Sequence, residues 1–197
     1  PALHVLTEEI AANLHSYVSS GGTLVVTPRT GVKNIDNVVV NQPLPGLLSE
    51  LCGVSVDEYD ALTPDLSQSI VFDVGELAGQ TLPVQIWCDI LIPNGAEVLA
   101  SYVKDYYTGK PAITRNQLGL GHAIYLGTFG DDAFCDAFFG WLLREKGLVC
   151  ELTTPPGVEV CERWKGERVY RFIMNYTDAP QLIHLPVGHC NLLNDKP

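Results

Sequence analysis

The sequence predicts an α/β protein, a largely parallel sheet with helices packed on it, followed by a small antiparallel β unit. Three observations carry that expectation. An amphipathic helix over 7–20 runs into Gly21-Gly22 and then into TLVVT at 23–27, a strand-length run that is apolar on both faces, as a strand covered on both sides is. A second amphipathic helix, over 132–146, follows a long series of strand-like runs. After the stiff linker TTPPG at 153–157 the pattern becomes wholly β. The expected domains are therefore residues 1–152 and 157–197.

In chain order, Thr7 is the expected N-cap of the first helix, with Glu8 and Glu9 in the turn where the helix dipole favours negative charge. Ile10, Leu14, Tyr17 and Val18 fall on one helical face. Gly21-Gly22 stops the helix. Residues 28–45 are too long for a simple connection and read as an ordered contact loop. A short helix at 47–52 ends at Gly53, and 54–59 suits a strand. Strand runs then follow as SIVFDV, LPVQIWCDILIP, EVLASYV, KPAITRN and GHAIYLGTF, the last two joined by a glycine-containing hairpin at 116–121. Asp131-Asp132 caps the second helix. Its apolar stripe is Ala133, Phe134, Ala137, Phe138, Trp141 and Leu142, and Gly147 ends it. Beyond the linker, VEVCERW, RVYRFIMNY and QLIHLP read as three strands. Pro1-Ala2-Leu3 reads as a loop leaving a strand not in this chain, and the missing initiator Met suggests a processed chain or a fragment; 194–197 stops where another strand would be needed.

Composition excludes several function classes. The chain has 197 residues, 46% of them apolar, enough for one full core. Its 23 acidic and 12 basic residues give a formal net charge of −11, which disfavours binding to nucleic acid or an anionic membrane. No apolar run is long enough to span a bilayer, and residues 1–9 lack the pattern of a signal peptide. The cysteines Cys52, Cys88, Cys135, Cys150, Cys161 and Cys190 show no C-x-x-C spacing and mostly sit in apolar runs, so reduced, buried thiols in a cytoplasmic protein are expected.

Motifs for chemistry are absent from the expected places. There is no G-x-S-x-G elbow, and Cys52 lies at a helix end with no strand before it. His4, His15, His122, His184 and His189 are scattered without metal-ligand spacing. No dinucleotide or phosphate-binding glycine loop occurs. Glu50, Asp57, Glu58 and Asp60 supply carboxylates by number, but an acidic chain has such clusters on its solvated faces. The expectation is thus no catalytic, cofactor-binding or metal-binding residue, and no cofactor. Tyr102, Tyr106 and Tyr107 read as sheet cover or subunit contact, and Trp164 and Tyr170 as core packing.

Three stretches carry a family resemblance: YVSSGGTLVVTPRTG at 17–31, PGLLSELCGVSVDEYDAL at 45–62, and YTGKPAITRNQLGLGHAIYLGTFGDDAF at 107–134. Together they resemble the middle region of glycoside hydrolase family 42 β-galactosidases. The likeness continues through 158–186, where Asn175-Tyr176-Thr177-Asp178 is similar to a turn of that family's small C-terminal β domain. The resemblance implies a flavodoxin-like middle domain related to class I glutamine amidotransferases, here without its first strands and helix, and part of the C-terminal domain. It implies a homotrimeric parent enzyme that hydrolyses terminal β-D-galactosides by a retaining mechanism, with both catalytic glutamates in a TIM barrel outside this chain. The chain itself is then expected to be a non-catalytic oligomerisation module. It should contact the barrel and self-associate as a dimer or trimer, with residues 28–45 and the three tyrosines as contacts. The alternatives are a small amidotransferase-like enzyme, which would need an elbow nucleophile beside a histidine, and a carbohydrate-binding module, which would show exposed aromatics on the C-terminal sheet.

Overall fold

The structure, a computed structural model, describes residues 3–148 and 152–193. It divides into two compact units, Pro1–Leu142 and Leu143–Pro197. In the first, helix α1 (Glu8–Ser19) starts as its sequence requires: the Thr7 side chain accepts the Ile10 amide at 3.3 Å. It ends with the Gly21 amide on the Val18 carbonyl and the Gly22 amide on the Tyr17 carbonyl, both at 2.9 Å, a Schellman closure. Its inward face is Ala11, Leu14 and Val18, whereas Ile10 and Tyr17 of the expected stripe remain exposed.

Strand β1 (Thr23–Val26) follows, then the loop, a 3-10 turn at Gly46–Leu48, helix α2 (Ser49–Cys52) and strand β2 (Val54–Ala61). Strands β3 (Gln68–Phe72), β4 (Thr81–Pro93), β5 (Glu97–Tyr102), β6 (Pro111–Leu118), β7 (Gly121–Leu126) and β8 (Thr128–Gly130) lead to helix α3 (Asp132–Glu145). The Asp131 carboxylate accepts the Phe134 amide at 2.9 Å and so starts α3 as expected.

The sheet runs β1-β7-β6-β5-β3-β4-β2, with β8 also on β4. Only β1 and β7 pair in parallel; every other described pairing in it is antiparallel. The expected largely parallel sheet is corrected here, and the physical reason is plain. Apolarity on both sides of a strand reports that both faces are covered, not which way its neighbour runs. Both faces are indeed covered. Ile124 and Leu126 of β7 join a cluster with Phe134, Phe138 and Trp141 of α3, while the alternate residues Ala123 and Tyr125 join one with Val18, Leu48 and Leu51. The links between β5, β6 and β7 are also too short for parallel crossovers. Strand β1 lies at the sheet's edge among the described residues and is half-buried over Thr23–Val25. The supported architecture is a mixed α/β domain with one large sheet and few helices.

The second unit contains an antiparallel ribbon, β9 (Val158–Lys165) with β10 (Arg168–Asn175), turning at Gly166. Asn175 closes the expected turn, its side chain accepting the Thr177 amide at 2.9 Å and hydroxyl at 2.8 Å. Residues 181–186, expected as a third strand, form no ladder; Pro180 and Pro186 bracket them and withhold two amides. The final expected break at 194–197, and Cys150, lie outside the described residues.

Candidate functional site

Strand β7 does not stop at its last pair with β6. The chain bends at Gly127 and continues as β8 onto β4, so that the pairings β4-β3-β5-β6-β7 close back on β4. A side chain at Gly127 would place its Cβ 2.7 Å from the Ala112 carbonyl oxygen and 2.9 Å from that of Asp89, so only glycine fits this corner. The Tyr102 hydroxyl donates into the closure, 3.0 Å from the Asp89 carbonyl and 3.1 Å from that of Gly127.

The closure lies at the carboxyl ends of the parallel pair β1 and β7, where α/β sheets place their ligands. Beside it lies the Asp89 carboxyl, 3% exposed. Trp87 Nε1 donates to Oδ1 and the Tyr125 hydroxyl to Oδ2, each at 2.8 Å. Desolvation raises the Asp89 pKa; the bonds from Trp87 and Tyr125 and the Arg29 charge oppose it. Both carboxylate oxygens being engaged, Asp89 orients Trp87 rather than meeting a solute. Trp87 in turn meets both the Tyr59 ring, stacked at 4.5 Å and 14°, and the Arg29 guanidinium, 4.7 Å from its centroid. Two positive-φ residues belong to or adjoin this stack: Arg29 itself at φ 64° and the β-branched Ile86 at φ 71°, next to Trp87 in a bulge of β4 against β8. Such residues cost of the order of 1–3 kcal/mol each and persist only where their surroundings fix them.

The loop after β1 is ordered through its own hydrogen bonds. The Val40 amide reaches Val32, the Asn34 amide reaches Val38, and the Asn34 side chain accepts the Asp36 and Val38 amides at 3.0 Å. Lys33 Nζ donates to Asn37 Oδ1 at 2.8 Å, and the Lys33 backbone bridges both Val5 and Val39. The result is a fixed hairpin over 32–40 that leaves Ile35 (76%), Val38 (58%) and Val39 (68%) exposed.

Several residues singled out from sequence sit elsewhere than expected. Tyr102 and Tyr107 are core residues, 1% exposed, and cannot be contacts. Tyr107 donates to Asp60 at 2.9 Å, which uses its polar end inside the fold. Only Tyr106 of the three is exposed. Cys52 is buried, and burial pushes its thiol up to about 12, the reverse of an activated nucleophile. The thiol of Cys88 is likewise raised by burial. The five described cysteines are free, but only these two are buried; Cys135 and Cys190 are exposed and Cys161 is half-buried. His4, His15 and His184 are exposed, and His122 and His189 half-buried. Glu50, Asp57 and Glu58 face solvent. Among the described residues no group of three or more His, Cys, Asp or Glu could hold a metal. Trp164, expected in a core, is 68% exposed on the ribbon, and Tyr170 is half-buried. A two-stranded ribbon has little interior to offer a Trp.

The Arg29-Trp87-Tyr59 stack and its Asp89 anchor escape sequence reading. The available signal is a lone carboxylate inside the apolar run LPVQIWCDILIP, two residues after a tryptophan.

Comparison with known proteins agrees over nearly the whole chain. A family model described as the beta-galactosidase trimerisation domain matches residues 1–149. The β-galactosidase BgaP of Planococcus sp. strain L4 is 33% identical over 187 residues, which is 94% of this chain and 28% of that protein. The β-galactosidase BgaA of Clostridium cellulovorans is 34% identical over 160 residues, 81% of this chain and 24% of that one. Among solved structures, the β-galactosidase of Bacillus circulans sp. alkalophilus superposes with a TM-score of 0.83 at 37% identity, covering 89% of this chain and 26% of that one. That of Rahnella sp. R3 gives 0.85 at 31% identity, covering 94% and 28%. The chain thus spans less than a third of the length of these relatives. It belongs to the trimerisation-domain family of glycoside hydrolase family 42 β-galactosidases.

Proposed function

We propose that this chain builds the oligomer of a β-galactosidase and performs no hydrolysis itself. The observation that carries the reading is the match of residues 1–149 to a trimerisation domain. In this reading the parent enzyme is a homotrimer that cleaves terminal β-D-galactosides by a retaining mechanism. Its catalytic glutamates lie in a TIM barrel that the chain contacts. Residues 1–152 are the assembly domain and 157–197 contribute to a C-terminal β domain.

The finer kinship to flavodoxin-like, class I amidotransferase-like sheets draws support from the parallel β1–β7 pair with α1 beside it. A cytoplasmic setting draws support from the five described cysteines, all free, which an oxidising compartment would tend to pair. No described helix is long and apolar enough to cross a membrane.

Retaining hydrolysis needs two carboxyl groups facing across a sugar-sized gap with one held protonated. Among the described residues the carboxyl held high by burial is Asp89, and Trp87 and Tyr125 occupy it. The purified chain should therefore leave a chromogenic β-galactoside untouched. Turnover above background that disappears on changing one of its own carboxylates would overturn the reading.

A further inference from the structure

We infer that the hairpin over 32–40 is the element through which one copy of this chain grips another, with Ile35, Val38 and Val39 as the apolar contact. The inference rests on the assembly reading above and deepens it by naming the surface.

Charge supplies the first argument. The chain carries −11 overall, yet residues 10–49 contain only Arg29, Lys33 and Asp36 as charged groups. Two equally acidic copies repel unless they meet where the acid is missing. Within this stretch the hairpin carries one charge of each sign, Lys33 and Asp36, and so is neutral on a chain that is strongly acidic.

Order supplies the second. Three large β-branched side chains of the hairpin keep more than half of their surface in water. A floppy loop could fold them away. This one cannot, because the Asn34 turn, the Lys33–Asn37 bond and the bridges of Lys33 to Val5 and Val39 hold the backbone. β-branched residues lose little further side-chain freedom on docking, and a preorganised loop avoids the ordering penalty of association. The occupant is a second copy, since residues 1–149, which match a trimerisation domain, include the whole hairpin. In a closed ring of three the hairpin meets a different surface on its neighbour rather than itself.

The test is sedimentation velocity on the full chain and on Ile35→Glu/Val38→Glu, across a hundredfold range of concentration, with circular dichroism melting as a control. The same measurement on Ile35→Ala/Val39→Ala adds no charge. We expect the glutamate variant to melt as the unaltered chain does and to associate at least about 30-fold more weakly, as removal of a central apolar contact does. The alanine variant should weaken in the same direction. Unchanged association in both variants would overturn the hairpin's role while leaving the assembly reading intact. An unaltered chain that stays monomeric throughout would overturn both.

Discussion

Asp89 is where one residue decides the most. It is buried, and two donors depend on it: the Trp87 indole and the Tyr125 hydroxyl, each 2.8 Å away. Asp89→Ala strands both and should destabilise the fold by about 3 kcal/mol, read as a shift in the urea midpoint. It should also free the Trp87 ring from the Tyr59 stack, which tryptophan fluorescence would report. A second prediction concerns pH. Burial holds the Asp89 pKa above its unfolded value, so the native state keeps the proton longer as pH rises. The stability this contributes is full below the unfolded carboxylate pKa of about 3.9 and is lost as pH climbs through the raised native pKa. Asp89→Asn removes that dependence. The difference in melting temperature should move in the variant's favour as pH rises from about 4 and then level off above the native pKa. A difference that stays constant with pH would show that Asp89 titrates as an ordinary carboxylate.

Among the elements, the corner between β7 and β8 holds the sheet's closed circuit of pairings. Gly127→Ala drives a methyl against two backbone carbonyls, neither of which is a flexible side-chain end. It should cost about 2–3 kcal/mol in thermal or denaturant unfolding, while Gly79→Ala, in open space though at φ 81°, should cost less. The helices were legible in the sequence because their signals are local. Thr7 and Asp131 cap them, and the 3.6-residue period of Phe134, Phe138, Trp141 and Leu142 marks the buried face of α3. The strands were legible as strands for the same reason. Their directions were not, because a run such as LPVQIWCDILIP is set by cover on both faces, and pairing is decided by distant partners. The tyrosines show the same limit. Tyr102, Tyr106 and Tyr107 read alike, yet the closure takes Tyr102 and the Asp60 carboxylate takes Tyr107, leaving Tyr106 outside. The third strand at 181–186 failed because alternation alone cannot form a ladder between two prolines.

For the whole molecule, family membership was readable from three motifs, since spacing such as that of 107–134 records the hairpin and the corner that the structure then displays. What those motifs could not reveal is the surface that joins copies, because exposure depends on which residues the fold consumes. A chain of 21.5 kDa with a net charge of −11 should stay monomeric by repulsion unless a charge-poor surface draws copies together. Salt separates the two forces. Screening weakens the repulsion between acidic copies, so an apolar contact should hold or tighten as ionic strength rises, whereas an ion-paired contact would loosen. Sedimentation equilibrium of the purified chain at physiological ionic strength measures assembly most directly. A mass three times that of the monomer, unchanged or increased at high salt, is the expected result. A single species of 21.5 kDa at the highest concentration reached would contradict it.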